Sequence, residues 1–404
     1  CQFMGYDFLG LREVLIQSIR NVYISTFGNI DIFASFLCVL VPVAAGAYIS
    51  SEGKESIVIR ITAVIAVFTG TGAVIISNAN LAYAGVGGAM IAAWIWASYR
   101  GKIKEFADVC LVMACGVLAI SIILGQTDSG YSELDGLSYF VSDSRMVWIV
   151  SVVVLVVWAA IRLASKWTVK FRGKAALAVS VGVSLAGIVA VVIYAAHNHM
   201  GIFSFEDSWG NYRGFVWRRL MEAYSDFSVP QRLFGYGNES VKAIMTDRYY
   251  DDMMNTVGVI YDNAHNEYLQ YLITTGIFGA VSYVGLLVTT GGVLVRTAVS
   301  GAVMNENESM SSQSAGKRSK EKAASRDSRT VRGSKTGTGL ECLLGYAEDE
   351  GSMIAVLLGI TGYAVQAFVN LNQSLTTPYI FLLIAMAGGL CRRYICQFAD
   401  GGRK

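Results

Sequence analysis

The sequence predicts an all-α fold: a polytopic integral membrane helical bundle of about nine spans with one large extracytoplasmic loop domain. Three observations predict it. Hydrophobic residues make up 54% of the chain and charged residues 15%, where soluble domains carry roughly 25% charged residues. The apolar residues fall in runs close to the roughly 20 residues that cross a bilayer. The charges are sorted between the runs, so that clusters of Lys and Arg alternate along the chain with connections that lack them or are long. Beside that sorting, the net charge of +2 carries little information.

Residues 1–28 set Arg12, Glu13 and Arg20 among Leu11, Val14, Leu15, Ile16 and Ile19, the pattern of a helix lying on the membrane surface. The chain begins at Cys1 without a signal-peptide pattern, and upstream helices are expected to precede it. Phe27-Gly28-Asn29 breaks the surface helix, and Asp31 stands at the mouth of the first span, 30–49. A charged turn, 51–56, leads to the second span, 57–76. Ser77-Asn78-Ala79-Asn80 opens the third, 81–99, whose Gly85, Gly87 and Gly88 permit close helix approach. Arg100, Lys102 and Lys104 precede the fourth span, 106–124. The loop 126–143 holds Asp128, Glu133, Asp135 and Asp143 and no Lys or Arg.

The fifth span is 146–163, and a basic turn with Arg162, Lys166, Lys170, Arg172 and Lys174 joins it to the sixth, 175–196. The seventh, 268–295, is long enough to begin as a tilted or broken segment at the interface. A Ser/Lys/Arg/Gly-rich tract, 305–339, reads as a disordered, solvated loop rather than a nucleic-acid site. Spans 353–371 and 378–390 and a basic tail with Arg392, Arg393, Arg403 and Lys404 close the chain. The expected units are the membrane helices of 1–196, a cap loop 197–264, a helix with a histidine motif 265–296, a basic cytoplasmic loop 297–350, and two helices with a tail, 351–404.

The positive-inside rule puts 100–104, 162–174, 296–340 and 392–404 in the cytoplasm. Residues 1–29, 77–80, 125–144, 197–264 and 372–377 are then extracytoplasmic. The seven cysteines have no C-x-x-C spacing and no neighbouring histidine, and read as small membrane-compatible hydrophobes. Asp251 and Asp252 read as a solvated pair, so neither a metal site nor a cofactor is expected.

Chemistry concentrates in two stretches. Histidine occurs only at 197, 199 and 265. His265 lies where a polar loop runs into an apolar helix, in Asn263-Ala264-His265-Asn266-Glu267-Tyr268-Leu269-Gln270. A proton-carrying side chain there reads either as a site or as part of a helix start, with Asn263 or Asn266 as cap and Tyr268 and Tyr271 as interfacial aromatics. The cap loop holds Trp209, Tyr212, Phe215, Trp217, Tyr224, Phe227, Tyr236, Tyr249, Tyr250 and Tyr261, a load suited to a folded cap and to stacking on sugar faces. Helical spacing over 211–224 puts Arg213 and Trp217 on one face. Arg213, Arg218, Arg219, Arg232, Lys242 and Arg248 lie in the same loop. Guanidinium suits bidentate phosphate binding, and it equally suits salt bridges inside the cap.

Two blocks resemble the O-antigen ligase/polymerase superfamily of bacterial membrane glycosyltransferases. Arg213-Gly214-Phe215-Val216-Trp217 with Phe234-Gly235-Tyr236-Gly237 resembles the family's Arg-x-x-x-Trp helix and following Gly-x-Gly turn. His265-Asn266-Glu267-Tyr268-Leu269-Gln270 with Thr275-Gly276-Ile277-Phe278-Gly279 resembles its His-Asn-x-Tyr-Leu-Gln block and downstream Gly-x-x-Gly. Weaker echoes are Thr26-Phe27-Gly28-Asn29-Ile30-Asp31-Ile32-Phe33-Ala34 and Gly362-Tyr363-Ala364-Val365-Gln366-Ala367-Phe368. The order and spacing match from residue 26 to about 390.

The resemblance implies an inverting, metal-independent glycosyltransferase, a polysaccharide polymerase or ligase, in the bacterial cytoplasmic (inner) membrane with its site outside. Its donor would be a glycan on undecaprenyl pyrophosphate, and its acceptor a glycan, lipid or protein. Arg213 would stabilise the leaving group, and His265 would act as general base or as phosphate contact. Trp217, Asn266, Tyr268, Gln270, Arg218 and Asn78 would touch substrate. Members usually carry more helices before the first block, and many have a Ser-Arg pair where this chain has Ser77-Asn78, which removes one expected phosphate-binding cation. Two other readings stand beside this one: a transporter or flippase of lipid-linked glycan, although no internal repeat is seen, and a non-catalytic partner in surface polysaccharide assembly.

Overall fold

The computed structural model describes residues 25–51, 57–126, 136–164, 172–197, 205–323, 338–370 and 375–401, with positions 8, 10, 23 and 134, and side chains other than those at 126, 144, 195, 300–349 and 394–401. The expected surface helix, Asp128, Glu133, Asp135, Lys166, Lys170, His199 and residues 324–337 lie outside the described set. All regular elements among the described residues are helical. In chain order they are α1 (Ile30–Ser50), α2 (Ile57–Ile76), α3 (Asn80–Arg100), α4 (Ile103–Gln126), α5 (Gly136–Ser142), α6 (Ser144–Leu163) and α7 (Lys174–His197). Then come α8 (Trp209–Ser225), α9 (Val229–Phe234), α10 (Ser240–Thr256), α11 (Glu267–Ala323), α12 (Thr338–Gln366) and α13 (Thr377–Gly401).

By length and composition, 7 of the described helices can cross a membrane: α1 to α4, α6, α7 and the 267–299 part of α11. The eighth and ninth expected spans fall on α12 and α13. The chain is a polytopic helical membrane protein. Spans 30–49 and 57–76 come within a residue of their predicted bounds because an apolar slab sets the length of run that can be buried in it. Past residue 299 the backbone of α11 stays helical to Ala323, beyond Asn305 where composition predicts the disordered tract. Propagating a helix costs little once a membrane segment has nucleated it, and this stretch has many good helix formers and no proline.

α1 is the axis of the bundle. Asn29 caps it, accepting from the N–H groups of Asp31 (2.7 Å) and Ile32 (3.2 Å). α12 lies along α1 so closely that a methyl on Gly362 would strike the Cys38 carbonyl, the small-residue contact by which helices associate in lipid. At one end of the bundle, Asp108 accepts from Tyr48 (3.0 Å) and Trp158 (2.8 Å) and pairs with Arg162. Arg100 meets Glu350 at 2.7 Å at that same end. The connection 77–80, residues 375–376, the cap and the start of α11 share the other end.

The cap is folded. α8 and α10 enclose a core of Phe215, Val216, Leu220, Ala223, Val241, Met245 and Met253, and Leu269 and Ile273 of α11 join it. The helical spacing predicted from residue 211 starts two residues late. Gly210, Asn211 and Tyr212 are left-handed (φ 59°, 59° and 64°), so regular helix begins at Arg213. The Tyr261 hydroxyl donates to the Asn211 carbonyl at 2.9 Å and holds this turn.

Cap and membrane helix are joined by backbone. α11 breaks at Gly276 (φ 70°, ψ −169°), a region only glycine occupies readily. The break frees the carbonyls of Ile273 and Thr274, which accept instead from the N–H groups of Tyr236 (2.8 Å) and Gly237 (3.1 Å). A methyl on Gly235 would run into the Thr274 carbonyl, and one on Gly276 into Leu233. Gly235→Ala and Gly276→Ala are therefore expected to destabilise the purified full chain, by about 1–3 kcal/mol of strain plus the clash. Gly187→Ala, at a position with open space around it, is the control. Thermal unfolding in detergent checks this: a clear drop in midpoint for the first two and none for the third.

Candidate functional site

Two strained turns face each other where the cap meets the bundle. One precedes α11. His265 itself is left-handed (φ 46°). Its N–H donates to Asn263 Oδ1 (3.1 Å), the hydrogen bond of an Asx turn. Ala264 is held at both polar groups: its N–H donates to Gln270 Oε1 (2.9 Å), and its carbonyl accepts from Trp217 Nε1 (2.8 Å). Asn266 is the true helix cap, accepting from Leu269 N–H at 3.0 Å. So Asn263 shapes the turn, Asn266 starts the helix, and the imidazole of His265 is left standing against the edge of Tyr261, ring centroids 5.2 Å apart.

The other turn precedes α8 and delivers Arg213. Its Nη1 donates to the Gly210 carbonyl at 3.0 Å. Its Nη2 stands 3.5 Å from Asp31 Oδ2 at the mouth of α1, an ion pair too long for a good hydrogen bond. Its Nε is buried and has no hydrogen-bond partner among the described residues, and the same holds for His265 Nδ1. A buried polar atom left unbonded costs about 1–3 kcal/mol. Here two such atoms, from motifs 52 positions apart in sequence, sit in one electrostatic neighbourhood.

Electrostatics follow from that geometry. Burial first, and then the Arg213 guanidinium, push the His265 imidazole down to about 4, against opposing pulls from Asp31 and Asp262. The imidazole is therefore neutral near pH 7. Tyr261 is raised, chiefly by burial. The positive charge offered to an anion is Arg213, and it is only partly neutralised at 3.5 Å from Asp31.

Beside this pair lies a groove of about 560 Å³, lined by Phe205, Trp217, Arg218, Asn266, Leu269 and Phe368 among others. Trp217 packs against Trp209 (5.2 Å), Phe368 (5.6 Å) and Phe205 (6.0 Å). Because Trp217 also bonds the residue before His265, the groove wall and the imidazole are mechanically linked.

Of the residues singled out from sequence, Arg213 and His265 share the buried pole, and Trp217, Arg218 and Asn266 line the groove. Arg218 is already paired with Asp207. Gln270 supports the His265 turn, and Tyr268 hydrogen-bonds the Ala364 carbonyl at 2.7 Å, behind the site. Asn78, left-handed at φ 52°, lies at the same end of the bundle. Sequence reasoning placed Asp31 at a helix mouth and Tyr261 among the cap aromatics, and chose neither as a site residue. Asp31 sits inside the weak Thr26–Ala34 block, and that was its one signal; its pairing with Arg213 spans far too much chain to leave a local pattern.

Residues 131–284 match a family model described as O-Antigen ligase. The matched stretch includes both Arg213 and His265, and it supports the O-antigen ligase/polymerase superfamily. No curated protein and no solved structure matches the chain.

The electrostatic account is checked without any substrate. With His197 and His199 replaced by Gln, the one remaining imidazole, His265, should titrate near 4 in an ¹⁵N NMR pH series. Arg213→Ala should raise that midpoint and Asp31→Asn should lower it. A midpoint near 6.5, the unperturbed value, or shifts of opposite sign would contradict the geometry.

Proposed function

We propose that this chain is a membrane glycosyltransferase of the O-antigen ligase/polymerase type, which moves a glycan from an undecaprenyl-pyrophosphate donor to an acceptor hydroxyl at the outer face of the cytoplasmic membrane. The observation that carries the reading is the pair of buried atoms without a partner among the described residues, Arg213 Nε and His265 Nδ1, at one pole. One donates and belongs to a permanent cation; the other belongs to a neutral proton acceptor. A phosphate oxygen and a hydroxyl are the groups that would complete them. Further support comes from the family match and from the aromatic groove, whose faces suit sugar rings.

In this reading the acceptor hydroxyl meets His265, and its oxygen attacks the anomeric carbon of the donor from the side opposite the pyrophosphate. The hydroxyl proton passes to the imidazole, the bond from the anomeric carbon to the phosphate oxygen breaks, and configuration inverts. The electron pair leaves on the pyrophosphate, where Arg213 stabilises it. The proton affinity of His265 is low because the imidazole is buried beside the Arg213 guanidinium. A pyrophosphate that neutralises Arg213 removes one of the two causes that depress it and brings the base closer to working pH. The acceptor class, whether a second lipid-linked repeat, a lipid A core or a protein hydroxyl, is an arm of the experiment.

Full-length protein in proteoliposomes would be given undecaprenyl-pyrophosphate-linked oligosaccharide with each acceptor. His265→Ala and Arg213→Ala are each expected to lower transfer by about 100-fold or more. Transfer that survives both would sink the site, and lipid translocation without a new glycosidic bond would favour the transporter. Orientation is read separately: a maleimide that cannot cross the membrane should label Lys242→Cys in intact cells and should label Lys320→Cys only after lysis.

A further inference from the structure

Asp31 owes its position to the far end of the chain. Its backbone N–H is taken by Asn29 Oδ1 at 2.7 Å. Its backbone carbonyl accepts from Ser35 Oγ (2.7 Å) and from Asn370 Nδ2 (3.1 Å). Asn370 Nδ2 also stands 2.6 Å from Ser35 Oγ and 3.0 Å from Gln366 Oε1, and Ser35 Oγ lies 3.1 Å from the same Gln366 oxygen. Ser35, Gln366 and Asn370 are all fully buried. The cluster is not arranged for stability alone, because Gln366 Nε2 is buried without a partner among the described residues. A network that accepts such a cost to fix one turn is a mark of a positioned site.

We propose that Asn370 and Ser35, braced by Gln366, are positioning residues for the Arg213–His265 site, acting through the first turn of α1. They hold the Asp31 peptide so that its carboxylate faces Arg213, which in turn sets the direction of the guanidinium. The inference rests on the glycosyltransferase reading above, and it adds to that site a control point supplied by residues outside the matched stretch 131–284.

A double-mutant cycle on transfer by the full chain in proteoliposomes tests it. Asn370→Leu is expected to lower transfer about 10-fold and Ser35→Ala about 3-fold, the scale of one to two lost hydrogen bonds. In an Asp31→Asn background neither change should lower transfer further, because the residue they act through has already lost its charge. A merely structural role predicts the contrary, the full additional loss on the Asp31→Asn background, and that result overturns the proposal. If Asn370→Leu does not fold, the Ser35→Ala arm decides alone, since it removes a single small hydroxyl. Failure of the underlying reading looks different: His265→Ala and Arg213→Ala then retain transfer, or the wild type gives none, and the proposal falls with it.

Discussion

The break at Gly276 is the constraint on which the site depends. A helix that crosses a bilayer normally uses its own carbonyls, and leaving two of them free in an apolar surrounding is costly. Here the N–H groups of Tyr236 and Gly237 take the carbonyls of Ile273 and Thr274. The cap is thereby attached by main-chain bonds that no side-chain drift can loosen. Leu269 and Ile273 complete its apolar core within about two turns before the break. The outcome is a cap fixed in register with the residue that starts the helix, two positions after His265.

That fixity is what lets the polar pole stay unfinished. Left-handed backbone at Asn211, Tyr212 and His265 is unfavourable for residues with a Cβ, and each case is held by a specific bond: Tyr261 to the Asn211 carbonyl, and Asn263 to the His265 amide. With the backbone held elsewhere, Arg213 and His265 can each keep a buried atom without a partner. Strain and missing bonds that meet on rigid supports, as they do here, suit an arrangement built for a visitor.

The fold was largely legible in the sequence, because the length of an apolar run and the placing of Lys and Arg between runs are local properties. The two motif blocks were legible as sequence patterns, and so was the possibility that the long seventh span is broken. What remained hidden was relational. The true start of α8 at Arg213 depends on a hydroxyl from Tyr261, some fifty residues on, and periodicity over 211–224 had no access to it. Asp31 read as a polar residue at a helix mouth because its partner arrives from the cap. Asn266 and Gln270 stand in the His265 block, and their hydrogen bonds cap α11 and hold Ala264. The choice between Asn263 and Asn266 as cap needed those same bonds.

The contact between Asn370 and Asp31 joins residues 339 apart in sequence, and Ala367 gives its carbonyl to the Glu267 amide at 2.9 Å. Both bonds need α12 in place. At about 5–20 residues per second of synthesis, the first turn of α1 waits roughly 20 to 70 seconds after it emerges before its partner exists. All of the cap is made during that interval. The pole around Arg213 and His265 therefore reaches its final form as one of the last events of biogenesis, and a ribosome-bound chain that has already completed the cap still lacks the support for Asp31.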